Sequence, residues 1–83
     1  MSGEEQIEQR LAILLESEFP NASQIGKSEY FVDHNAMSSL DFMNLVVSLE
    51  KTFAIHIGDD EISEENLGST ELLLAFLSKK VLR

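Results

Sequence analysis

The sequence predicts an all-α protein, a small bundle of three main helices plus one short helix, with a long loop between helices 1 and 2. Apolar residues recur at helical spacing in three separate segments. The single proline, Pro20, and a group of Asn, Ser and Gly residues divide the first segment from the second. A chain of 83 residues has room for one small hydrophobic core, so we expect a single domain over residues 1–83.

The first helix is predicted from Ser2 to about Phe19. Ser2 and Glu5 have the spacing of a capping box, in which a hydroxyl and a carboxylate each accept a backbone N–H at the helix start. Pro20 ends the helix because it offers no N–H to the next turn. The predicted inner face consists of Ile7, Leu11, Leu14 and Leu15.

Residues 20–37 are predicted to form a long irregular connection, because the segment is rich in loop-forming residues. A β-strand at residues 30–32 is rejected, since the chain offers it no partner strand. The connection also contains large apolar side chains that we expect to hold it against the bundle, namely Ile25, Tyr30, Phe31 and Val32.

The central helix is predicted over residues 38–53, with Ser38 and Asp41 at capping-box spacing. Its apolar residues fall into two stripes. The stripe expected to face the core consists of Phe42, Leu45, Val46, Leu49 and Phe53. The second stripe consists of Leu40, Met43 and Val47. A surface helix of a small protein needs only one apolar stripe, so the second one predicts a binding partner or more core.

The remainder of the chain is predicted to hold a connector at residues 54–58, a short acidic helix of one or two turns within Asp59–Glu65, and a turn at Leu67–Ser69. The last helix begins after a cap at Ser69 or Thr70. Its predicted inner face consists of Leu72, Leu73, Phe76 and Leu77. Cations that favour the negative end of the helix dipole lie at Lys79, Lys80 and Arg83.

The charge of the chain is strongly negative, with 15 acidic residues against 6 Lys and Arg and a formal net charge of −9. Nucleic acids and anionic membranes select basic surfaces, so neither is an expected partner. Basic protein surfaces are expected instead, although solubility alone is an alternative reason for the acidity. No apolar run is long enough to span a membrane, and no signal peptide pattern is present. We therefore expect a cytoplasmic monomer without membrane insertion.

The sequence offers no set of catalytic residues, and an enzyme is not expected. There is no cysteine, so any thiol chemistry has to come from an attached group. His34 and His56 lack the spacing of a metal or catalytic motif, and the acidic run at residues 59–65 lacks the order of a calcium loop. No metal site is predicted.

The serine pair at the start of the central helix allows two roles. Ser38 can cap the helix while Ser39 remains accessible in the first turn. Free backbone N–H groups and the helix dipole favour a phosphate at that place. The local pattern is therefore compatible with a phosphorylated or phosphodiester-linked serine.

With these features the chain resembles the acyl carrier proteins, a family that binds phosphopantetheine. The resemblance covers essentially the whole chain. It is carried by Ser38-Ser39-Leu40-Asp41 at the start of the central helix, then by Leu45, Leu49-Glu50 and Phe53, with Phe31-Val32 upstream and Ile57 downstream.

The resemblance implies that Ser39 receives 4′-phosphopantetheine from coenzyme A through a phosphopantetheinyl transferase. The thiol of this arm would carry acyl groups as thioesters in fatty acid, polyketide or related lipid biosynthesis. The family's acyl-loading and acyl-accepting enzymes have basic docking surfaces, and the acyl chain would be sheltered between the central and last helices. The residues that match the family's partner-binding positions are Leu40, Asp41, Met43, Val47 and Glu50.

The chain departs from the family pattern near the proposed attachment site. Ser38 stands where the family usually has Asp, and Asn44 and Lys51 replace common acids of the central helix. These departures favour a specialised rather than a housekeeping carrier. Two alternatives remain open: an unmodified acidic protein-docking module, and a carrier of aminoacyl groups such as D-alanyl or peptidyl groups.

Overall fold

A computed structural model describes residues 3–82, and no strand occurs among them. Residues 3–82 fold into three long helices and two helices of four residues, which confirms the predicted small helical bundle. In chain order the helices are α1 (Gly3–Glu18), α2 (Pro20–Ser23), α3 (Ser39–Phe53), α4 (Glu64–Leu67) and α5 (Thr70–Val81). Two 3-10 turns lie at Phe31–His34 and Asp59–Glu61.

The first helix buries the four apolar residues expected of it, and all four are at most 5% exposed. It ends at Glu18, and Pro20 is the first residue of α2. Proline is well tolerated there because the first N–H of a helix has no partner within the helix. The predicted cap at Ser2 lies outside the described residues, as does Arg83 at the other end.

The connection between α1 and α3 is more ordered than the sequence indicates, because it contains α2 and the 3-10 turn. Phe31 is fully buried and Ile25 packs partly against the core, as expected. Tyr30 and Val32 are not buried, at 40% and 42% exposed, although the Tyr30 ring lies beside Gly68. In a 3-10 turn neighbouring side chains point in different directions, so only one of the three enters the core. The Phe31 N–H donates to the Gly68 carbonyl over 2.9 Å and fastens the connection to the end of α4.

The central helix supplies the middle of the core. Its predicted inner stripe is buried at Leu45, Val46, Leu49 and Phe53, and Phe42 is half-buried against the same cluster. Fully burying one large aliphatic side chain contributes about 1.5–3 kcal/mol, so this stripe is a major source of the bundle's stability.

The acidic segment after α3 is divided between the 3-10 turn at Asp59–Glu61 and the start of α4 at Glu64, whereas the sequence predicts one short helix. The 3-10 turn ends at Glu61, and Ile62 has an extended backbone with φ −81° and ψ 97°. This conformation breaks helical hydrogen bonding before α4 begins. Leu67 was expected in a turn but is the fully buried last residue of α4.

The last helix is capped by Ser69, whose hydroxyl accepts the Leu72 N–H over 3.2 Å, and this settles the choice between Ser69 and Thr70. Of the predicted inner face, Leu73, Phe76 and Leu77 are buried and Leu72 is partly buried. None of the helices formed by residues 3–82 combines the length and the apolar character needed to cross a membrane.

Candidate functional site at the start of α3

The start of α3 is fixed by a reciprocal pair of hydrogen bonds. The Ser38 hydroxyl accepts the Asp41 backbone N–H over 3.1 Å, and the Asp41 carboxylate accepts the Ser38 backbone N–H over 2.9 Å. Ser38 has the extended backbone, with φ −85° and ψ 173°, that is typical of a capping residue. The predicted capping box is therefore present, and Ser38 is the residue that caps the helix.

Ser39 is the first residue of α3 and is exposed to solvent. Its hydroxyl makes no hydrogen bond with any other residue that the structure describes. The first backbone N–H groups of a helix have no partner within the helix, and Ser38 occupies only that of Asp41. The Ser39 hydroxyl is therefore accessible at the positive end of a 15-residue helix, where a phosphate group is electrostatically favoured.

The second apolar stripe of α3 faces solvent. Leu40 is 70% exposed, Met43 is 57% exposed and Val47 is 47% exposed. The buried stripe on the other side of the helix supplies the core without them. The two-stripe prediction is confirmed as a description of burial, and the exposed stripe is available to bind another molecule.

The two predicted partner-binding acids both make hydrogen bonds within the fold. Asp41 belongs to the capping box and is partly buried. The Glu50 carboxylate accepts the Ile57 backbone N–H over 2.9 Å and lies 3.5 Å from Nδ1 of His56. Glu50 thus holds the connector after α3 in place, while both side chains still contribute negative charge along this helix.

A groove between α1 and α3 adjoins the exposed stripe, and sequence reasoning did not foresee it. It consists of two cavities of about 270 and 310 Å³. Glu18 lines both cavities and accepts a hydrogen bond from the Ser48 hydroxyl over 2.6 Å. One end is lined by Ile13 and the other by Val47 and Asp41. We call this feature the α1–α3 groove.

An apolar cleft of about 140 Å³ lies on another side of α3, against residues 62–67. Phe42, Ile62 and Leu67 provide its apolar lining. Phe42 follows Ser39 by three residues, which places it almost one helical turn along the same side of α3. The sequence led us to expect a shelter for an acyl chain between α3 and α5, whereas this cleft is bounded by α4.

The histidines take part in local contacts. Nε2 of His34 lies 2.9 Å from the Glu29 carboxylate, and the His56 ring is largely exposed beside Glu50. Within residues 3–82 no three His, Cys, Asp or Glu side chains come together in a way that could hold a metal ion.

A scan of protein-family models, a search of curated proteins and a search of solved structures each find no match to this chain.

Proposed function

We propose that this protein is an acyl carrier without catalytic activity of its own, which holds acyl groups as thioesters on a 4′-phosphopantetheine arm attached to Ser39. The observation that supports the proposal most strongly is that the two serines at the start of α3 have different roles. Ser38 caps the helix, so the exposed Ser39 hydroxyl is free to be modified without loss of the cap.

The modification is a phosphoryl transfer onto the side chain of Ser39. The Ser39 hydroxyl oxygen attacks the phosphorus of coenzyme A that bears the pantetheine unit, adenosine 3′,5′-bisphosphate leaves, and the hydroxyl proton is lost. A phosphopantetheinyl transferase provides the catalysis, because no general base lies at hydrogen-bond distance from Ser39 among the described residues. The arm provides the thiol that a chain without cysteine lacks.

The exposed stripe of Leu40, Met43 and Val47 supports a role in meeting other enzymes. A net charge of −9 favours enzymes with basic docking surfaces, because complementary charge speeds the encounter and selects the partner. We assign the carrier to fatty acid, polyketide or related lipid biosynthesis in the cytoplasm, as a monomer. Ser38, at a place where acyl carriers usually have Asp, favours a specialised member.

The test is mass spectrometry of the purified protein after incubation with coenzyme A and a phosphopantetheinyl transferase. We expect one added phosphopantetheine group on the natural protein and on Ser38→Ala, and none on Ser39→Ala. Circular dichroism of each variant shows that the helices are intact. Failure of several transferases to modify the natural protein would overturn the proposal.

An unmodified docking module is the second candidate, and the exposed stripe favours it because the stripe needs a partner whether or not an arm is present. This function requires only the α3 surface and its acids. Its signature is equal affinity of the natural protein and of Ser39→Ala for a purified partner enzyme. A carrier would lose delivery of the acyl group in that variant.

A further inference from the structure

One large apolar side chain of α1 is turned away from the core. Ile13 is 64% exposed, and among residues 3–82 only Leu40, at 70%, is a more exposed large apolar residue. The core-facing side of α1 is complete without Ile13. A single exposed apolar residue needs no explanation by itself, but this one lies at an end of the α1–α3 groove.

The two cavities of the groove lie between Ile13 and the exposed stripe of α3. Glu18 lines both cavities, so the cavity beside Ile13 on α1 and the cavity beside Val47 and Asp41 on α3 are neighbours. Val47 belongs at the same time to the exposed stripe. A protein that covers the stripe therefore borders directly on the groove.

The charge along the groove is complementary to a basic partner. Carboxylates of Glu18 and Asp41 line it, and Glu18 faces no cation at ion-pair distance in the described part of the chain. Arg10 lines the end near Ile13, where its guanidinium donates to the Thr52 carbonyl and lies 4.8 Å from the centre of the Phe53 ring. Its donor capacity is thus partly used within the fold.

We propose, on the basis of the proposed function, that the α1–α3 groove is part of the surface that docks the phosphopantetheinyl transferase, with Ile13 contacting an apolar side chain and Glu18 a basic one. The groove reaches Asp41, two residues after Ser39, so an enzyme positioned over Ser39 covers its near end. From Ser39 to Thr52 is about 20 Å along α3. A standard interface of roughly 800 Å² per partner extends over such a length.

The experiment measures kcat and KM for phosphopantetheine transfer to the purified protein, with the mass of the product as a second readout. We compare Ile13→Lys and Glu18→Gln with Val81→Lys, which places the same new charge on an exposed apolar residue of α5. Ile13→Lys should raise KM by about tenfold, and Glu18→Gln by about threefold, as for contacts within an interface. The value of kcat should stay unchanged, because neither side chain touches Ser39, and Val81→Lys should behave as the natural protein.

Each remaining outcome overturns the inference. An unchanged KM in Ile13→Lys and Glu18→Gln means that the surface contacted by the transferase does not include the α1–α3 groove. An equal rise of KM in Val81→Lys means that total charge, rather than the groove, controls docking. If the natural protein gains no mass with any transferase, the proposed function fails together with the inference, and the absent mass increase distinguishes this result from the other two.

Discussion

Ser38 and Asp41 hold each other at the start of α3, each side chain accepting the other's backbone N–H, over 3.1 Å and 2.9 Å. This relationship assigns the two serines different roles. Ser38 provides an acceptor for a backbone N–H at the helix start, and Ser39 has an exposed hydroxyl in the first turn. The chain thereby combines a capped helix start with an exposed hydroxyl at the next residue.

Ser38→Ala should lower the free energy of unfolding by about 1 kcal/mol, because the Asp41 N–H loses its acceptor at the helix start. Ser39→Ala should change it by less than about 0.5 kcal/mol, since the exposed Ser39 hydroxyl bonds to no described residue. Urea unfolding followed by circular dichroism measures both. Equal losses in the two variants would show that Ser39 also caps the helix and would weaken the division of roles.

Leu49→Ala and Phe53→Ala should each lower the free energy of unfolding by roughly 2–5 kcal/mol, because each leaves a cavity in the small core. Met43→Ala should cost less than about 1 kcal/mol, since this side chain is 57% exposed. The same variant should weaken binding to partner enzymes, measured by titration calorimetry. A loss of stability in Met43→Ala as large as that in Phe53→Ala would contradict the two-stripe description of α3.

The long helices could be predicted from the sequence because their signals are local and periodic. The inner stripe of α3 and the Ser38–Asp41 box each depend on residues within one helix, so spacing alone identifies them. The exposure of Ser39 follows from the same geometry. These signals do not require knowledge of what packs against the helix.

The remaining features depend on contacts between distant parts of the chain, which spacing does not encode. The turn at Phe31 is held by the Gly68 carbonyl, 37 residues later. The hydrogen bond from the Ile57 N–H to the Glu50 carboxylate forms only once the connector folds back on α3. The exposed Ile13 had a signal in the sequence, since it lies off the buried face of α1, but the groove beside it emerges only when α1 packs near α3.

Gly68→Ala should destabilise the fold by about 1–3 kcal/mol, because a methyl group at this place has no room. A Cβ on Gly68 would lie 2.9 Å from Cδ2 of Tyr30 and would also press on the Glu64 carbonyl. Backbone conformation is not the cause, since φ of Gly68 is −78°. Thermal unfolding measures the effect.

Gly26→Ala is the matched control for that substitution. Its Cβ would lie 3.2 Å from Cγ of Glu29, an exposed side chain that can move aside. The expected change is below about 0.5 kcal/mol. Similar losses in both variants would mean that the packing of Tyr30 against Gly68 does not limit this position.

Glu61→Gln should make the free energy of unfolding less dependent on pH in the acid range. Nζ of Lys80 donates to the Glu61 carboxylate over 2.7 Å, and the Gly58 N–H donates to the same oxygen over 2.9 Å. These hydrogen bonds, that of Lys80 first, hold the pKa of Glu61 below its ordinary value of 4.5, against the opposite effect of partial burial. In the unfolded chain Glu61 takes up a proton near pH 4.5, whereas the folded protein takes it up only at lower pH.

Between these two pKa values the unfolded state binds more protons, so acidification favours unfolding. The contribution of Glu61 is complete above pH 4.5 and is lost as the pH falls through the lowered folded pKa. Urea midpoints measured across this pH range should therefore converge for the natural protein and Glu61→Gln as the pH falls. Glu65→Gln removes one negative charge from an exposed residue nearby and serves as the control for the loss of charge. If the difference between the midpoints of Glu61→Gln and the natural protein does not change with pH, the Lys80–Glu61 contact does not hold the Asp59–Glu61 turn to α5 in solution.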